Sequence, residues 1–144
     1  MPLPPATVRF FDRYAAYFTA SDSLQVAAMY EFPATFLSAA GRSVIMDRPA
    51  FLRNCELVLR RYAELGMHRV THRLIGDSPI NGVIRMVEME WIFQDAEGER
   101  MTDFRTRYLV RDFNGHLSIL GVVEVNETEK LSELEQGGDP LREA

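Results

Sequence analysis

Two histidines four residues apart, His68 and His72 in "HRVTH", are the first residues whose types suggest chemistry. On a helix this spacing would stack both imidazoles on one face, as a zinc site needs. Gly66 stands before them as a helix stop, however, and the run behind it reads as a strand, which separates the pair by about 13 Å. No metal is expected. His72 is left as an acid–base candidate, since an imidazole titrates near neutrality, and it shares a strand face with His68, Val70 and Leu74. Tyr14 is the second candidate, because a phenol on a buried helical stripe needs a hydroxyl partner or presents that hydroxyl to a cavity. Cys55, the single cysteine, excludes an internal disulfide. It lies on the apolar side of a helix with no basic residue in register and reads as packing.

The elements that position these residues follow from periodicity. Phe10, Phe11, Tyr14, Tyr17 and Phe18 make one apolar stripe at helical spacing, with Thr7 as the expected cap. A second helix is expected to start at Ser21 or Asp22, to carry Leu24, Ala27, Ala28 and Tyr30 inward, and to end at Pro33. Two short strands, 35–39 and 43–46, should turn at Gly41. A third helix takes Asp47 as cap and Pro49 in its first turn, and buries Phe51, Leu52, Cys55, Val58, Leu59 and Tyr62. Four longer strands follow, at 68–75, 83–94, 101–111 and 117–125.

The two turns between the last three strands fix a register. With Glu97-Gly98 as a two-residue turn, Trp91 faces Phe104, Met89 faces Thr106, and Val87 faces Tyr108, while Glu90 meets Arg105 and Glu88 meets Arg107. With Asn114-Gly115 as the next turn, Arg105 also meets Glu124, and Thr106 meets Val123. Side chains alternate across a strand, so this predicts one apolar-aromatic face and one face of matched charges. Met89, Trp91, Phe104, Thr106 and Tyr108 are the expected lining of any pocket on the apolar face, where a few polar tips among aromatics suit a small ligand. Every strand carboxylate (Glu88, Glu90, Asp103, Glu124) is expected to point away from it.

A chain of 144 residues with 47% apolar content is expected to make one domain, placed at 1–126, followed by an acidic tail at 127–144 that is a short helix or mobile. Most of the net charge of −5 sits in that tail. The near-neutral body offers no footprint for nucleic acid or for an anionic membrane. Neither a membrane-length apolar run nor a secretion signal is legible, and a cytoplasmic protein is expected.

The order of helices and strands, carried by "RFFDRYAAYFTASDSLQVAAMYEFPATFLSAAG", "DRPAFLRNCELVLRRYAELG" and "VIRMVEMEWIFQDAEGERMTDFRTRYLVRDFNGHLSILGVVEV", resembles the nuclear-transport-factor-2-like, or SnoaL-like, superfamily over residues 6–126. The resemblance implies an α+β fold: three N-terminal helices packed on a strongly curved, mostly antiparallel sheet that forms a cone with an internal pocket. Ketosteroid isomerases look similar through the first strand. The comparison puts their oxyanion-hole tyrosine at Tyr14 and their general base at Ser38, and a serine without a base of its own cannot abstract a proton. Scytalone dehydratase resembles the chain at "RVTHRLIG" and implies a site histidine at His72, but its second histidine has no counterpart.

Three functions are consistent with these residues. The first is a module binding a small, largely apolar molecule, with Tyr14, His72 and Tyr108 as polar contacts and Ser38 at the pocket. The second is a lyase or isomerase working without a cofactor and using His72 as its acid–base group. The third is a protein-interaction domain with a filled cavity. Ketosteroid isomerisation is not expected. The resemblance also implies a homodimer through the outer sheet face, which would offer Arg69, Arg73, Glu88, Glu90, Arg105, Arg107 and Val122.

Overall fold

The structure is a computed structural model that describes residues 5–39, 41 and 43–137. Helix α1 (Ala6–Thr19) starts at Pro5, whose fixed φ suits a helix entry, and Thr7 is not a cap but a buried residue inside the first turn. Phe10, Phe11 and Tyr14 form its buried stripe. Helix α2 (Ser23–Ala28) is capped by Asp22, which accepts from the Gln25 N–H at 3.2 Å. Its inward side holds Val26 and Ala27, whereas Leu24 is 70% exposed, contrary to expectation. One and a half turns present a single narrow face, and Val26 and Ala27 occupy it.

Pro33 does not end that helix. It lies inside strand β1 (Tyr30–Leu37), after a cis peptide bond from Phe32. The strand tolerates it because β1 has no ladder partner there. Pairing with the last strand is interrupted between Tyr30 and Thr35, and pairing with β2 (Ser43–Met46) begins only at Ala34. Helix α3 (Arg48–Glu64) is built as its sequence predicts. Asp47 accepts from the Ala50 N–H at 2.9 Å, Phe51, Cys55, Leu59 and Tyr62 are buried, and Gly66 leaves with φ +103°.

The remaining strands are β3 (Arg69–Pro79), β4 (Ile84–Gln94), β5 (Arg100–Phe113) and β6 (His116–Glu124). They join the first two in a curved, unclosed sheet of order β2-β1-β6-β5-β4-β3, antiparallel except where β1 runs parallel to β6. This is the α+β class expected from the sequence and the cone architecture that the resemblance implies. The β4–β5 register is the one read from the Glu97-Gly98 turn: Trp91 faces Phe104, Met89 faces Thr106, and Glu88 faces Arg107. The turn itself is wider than two residues. Asp95 organises it, its carboxylate accepting from the Glu97 and Glu99 N–H groups, and the slip this causes is confined to Gln94 and Arg100.

The β5–β6 register starts from the Asn114-Gly115 turn as predicted, with both residues at positive φ. It then slips by one at a bulge between Leu109 and Val110, so Leu109 faces Gly121, Tyr108 faces Val122, and Thr106 faces Glu124. Arg105 therefore does not meet Glu124 and Thr106 does not meet Val123. A slip of one exchanges the two faces of a strand beyond it. Val122 and Glu124 consequently share the apolar face with Tyr108 and Thr106, not the outer face assigned from the turn. On that outer face Glu88 holds Arg107 at 2.6 Å and Arg105 at 3.5 Å, and Glu90 holds Arg73 at 3.3 Å.

Helix α4 (Glu127–Gly137) follows. It packs against β5, with Lys130 Nζ 3.6 Å from Asp103, and Glu135 accepts from Arg61 of α3 at 2.8 Å. Leu131 packs on the core. No helix among the described residues is long and apolar enough to cross a membrane.

Candidate functional site

Between the helices and the apolar sheet face lies a cavity of about 190 Å³. Its walls are mostly aromatic because the stripes of α1 and α3 and the inward positions of β4 and β5 all point to it: Tyr14 and Phe18 from α1, Phe51 and Tyr62 from α3, Trp91 and Phe93 from β4, Phe104 and Tyr108 from β5. Val122 reaches the wall through the β6 bulge. The polar groups are few: the hydroxyls of Tyr14, Tyr30, Tyr62, Thr106 and Tyr108, the Asn54 amide, the Cys55 thiol and the Glu127 carboxyl.

Most of these polar groups are arranged in pairs. The Tyr14 and Tyr30 hydroxyls are 2.9 Å apart. The Trp91 indole N–H donates to the Tyr108 hydroxyl at 2.9 Å. Tyr62 donates to Glu127 Oε1. Burial raises the pKa of all four tyrosines, so each is a neutral phenol at ordinary pH. Burial likewise pushes the Cys55 thiol up to about 11, with Glu56 acting in the same direction, and it is no thiolate nucleophile at neutrality.

Among the described residues Glu127 is the one carboxyl in the wall. Desolvation raises its pKa above the ordinary carboxylate range, the Tyr62 hydrogen bond pulls it back, and the charge of Glu124 pushes it up again. No lysine, arginine or histidine among the described residues lines the cavity. Among the described residues no three His, Cys, Asp or Glu side chains converge on a point that could hold a metal ion.

Five residues singled out from the sequence stand in this wall: Tyr14, Trp91, Phe104, Thr106 and Tyr108. Three do not. Ser38 follows the end of β1, where its carbonyl accepts from the Gly41 N–H. Met89 is fully buried outside the wall. His72 is on the inner face of β3, but α1 covers it: its Nε2 lies 2.6 Å from Asp12 Oδ1, its ring packs 5.8 Å from Trp91, and its buried Nδ1 has no hydrogen-bond partner among the described residues. Trp91 touches the cavity and His72 touches Trp91.

Two wall groups escape a reading by strand parity. Val122 needed the bulge. Glu127 belongs to the acidic tail by composition, although it sits with Leu131 and Leu134 at i, i+4 and i+7, a spacing that puts all three on one side of a helix. Asn126 anchors that helix, its side chain accepting from the Arg105 N–H at 2.7 Å and its carbonyl from the Lys130 N–H.

Residues 6–127 match the family described as "NTF2-like protein (DUF6841)". No protein with a curated description matches the chain. Its fold is similar to a domain of unknown function with a cystatin-like fold from Nostoc punctiforme (14% identity, 89% of this chain and 80% of that one, TM-score 0.66). It is also similar to Aln2 from a Streptomyces species (14%, 94% and 99%, TM-score 0.64) and to a ketosteroid isomerase-like protein from Erwinia carotovora atroseptica (11%, 80% and 88%, TM-score 0.55).

Proposed function

The chain belongs to the NTF2-like family DUF6841, and from that premise we propose that it is a small-molecule-binding domain whose cavity takes a small, largely apolar ligand. The observation that carries this reading is the cavity itself: about 190 Å³ of space walled by aromatic rings, with a few paired hydroxyls and one carboxyl. An apolar cavity of about 150 Å³ is enough for benzene, so this one suits a single ring with a short substituent. Tyr14, Trp91, Phe104, Thr106 and Tyr108 are the contacts assigned to it. Ser38, Met89 and His72 receive none.

A cofactor-free lyase or isomerase using His72 is the second reading, favoured by the Asp12 carboxylate that orients the imidazole. It requires a substrate to reach the far side of Trp91. If such a substrate is found, His72→Phe should lower turnover by more than about 10-fold, and a smaller loss removes the assignment.

Native mass spectrometry of the purified protein tests the first reading. A bound mass that disappears on denaturation, and that is missing from a cavity-filling Val122→Phe variant, is the expected result. Equal adduct on both proteins would place the ligand elsewhere and overturn it.

A further inference from the structure

The cavity has an uneven charge inventory: one carboxyl, no basic side chain among the described residues, and aromatic rings on most sides. We propose that its ligand is a small aromatic or aliphatic amine bound as a cation, with Glu127 as its counter-ion. This rests on the binding reading above and names the ligand class for the same site.

The geometry around Glu127 leaves one carboxylate oxygen for a cation. Its Oε1 accepts from Tyr62, and Oε2 has no hydrogen-bond partner among the described residues. Several cations on neighbouring elements are engaged elsewhere. Arg61 of α3 is paired with Glu135 and Glu64, Lys130 of α4 and Arg100 of β5 with Asp103, and Arg105 and Arg107 of β5 with Glu88. The ionisable group facing Glu127 from β6 is Glu124, which adds negative charge. An ammonium entering here would meet a carboxylate hydrogen-bonded to Tyr62 in a wall built mostly of aromatic rings, and aromatic faces attract cations most where water is excluded. An anion would find no basic side chain among the described wall residues to pair with.

The burial that raises the Glu127 pKa points the same way, because a carboxyl with no cation nearby holds its proton and gives it up once one arrives. Binding of an amine should therefore lower the pKa of Glu127, and by linkage the ionised carboxylate should bind the amine more tightly than the protonated acid does.

Three probes of similar size and different charge test this: benzylamine, acetophenone and phenylacetate, titrated against the native protein by calorimetry and by shifts of the Trp91 indole N–H resonance. Benzylamine is expected to bind at least about 10-fold more tightly than the other two. Glu127→Gln should remove that advantage, so that benzylamine and acetophenone bind within about threefold of each other. Carbon NMR of the native Glu127 carboxyl, which needs no variant to fold, should show its pKa falling when benzylamine is present.

Acetophenone binding as tightly as benzylamine to the native protein would overturn the amine assignment and leave the binding reading intact. So would an unchanged Glu127 pKa, or equal benzylamine affinity in a folded Glu127→Gln variant. No response of the Trp91 resonance to any of the three would overturn both.

Discussion

Tyr62, on the third helix, donates its hydroxyl hydrogen bond to the carboxyl of Glu127, the first residue of the last helix, and so closes one side of the cavity with a contact between residues 65 positions apart. The donor favours the ionised carboxylate and the surrounding desolvation opposes it, with desolvation the larger effect.

This balance sets a pH dependence. The folded state binds the Glu127 proton more tightly than the unfolded chain does, so the stabilisation is complete below the ordinary carboxylate range and is lost as pH rises through the higher folded-state pKa. Glu127→Gln has no proton to lose. Melting curves from about pH 4 to about pH 8 should show the native protein losing stability relative to this variant as pH rises. Parallel curves would mean that the carboxyl is solvated. Tyr62→Phe removes the opposing hydrogen bond and should move the Glu127 pKa further up by carbon NMR.

The Trp91–Tyr108 pair should be costly to break from one side. Tyr108→Phe leaves a buried indole N–H without its acceptor, and a loss of about 1–3 kcal/mol is expected in urea denaturation. The double change Trp91→Phe with Tyr108→Phe should cost less than the two singles added, because the second change removes the orphan that the first one creates. Strict additivity would show that the bond contributes nothing.

Gly121 is a position where β6 comes close to β1. A Cβ there would lie 3.3 Å from the Thr35 carbonyl oxygen, a backbone atom held in the parallel ladder. Gly121→Ala should cost about 1–2 kcal/mol through forced separation of the two strands. Gly76, also in a strand, has nothing within 4 Å of the equivalent position. Gly76→Ala should change stability by no more than about 0.5 kcal/mol. Equal effects at both sites would refute the crowding argument.

We propose that the protein assembles through the outer sheet face, without Val122. Arg69, Arg73, Arg105 and Arg107 are placed there beside the partly covered Glu88 and Glu90, and Val122 faces the cavity instead. Sedimentation at micromolar concentration should give a homodimer that loosens with added salt, since the pairing face is charged. A monomer under low salt would remove the proposal.

Local rules in the sequence were enough for the α+β class, the third helix from its Asp47 cap to its Gly66 exit, the β4–β5 register and the aromatic side of the sheet. Each depends on neighbours within a turn or a hairpin, where periodicity and turn chemistry act directly. Tyr14, Trp91, Phe104, Thr106 and Tyr108 could be grouped for the same reason: one parity and one helical stripe suffice. What the sequence left open depended on distant packing. The bulge that turns Val122 and Glu124 inward lies between Ile119 and Gly121, both of which also pair with β1, and the strand-interior Gly121 is the one local sign of it. His72 has the parity of a pocket residue, yet α1 lies over it and Asp12 takes its Nε2. By sequence Glu127 opens an acidic tail, a short helix or mobile, and only the docking of α4 against β5 and Tyr62 makes it the carboxyl of the cavity. Desolvation and electrostatic partners are properties of the assembled surface and not of the chain, so the electrostatics of this cavity were decided by tertiary structure.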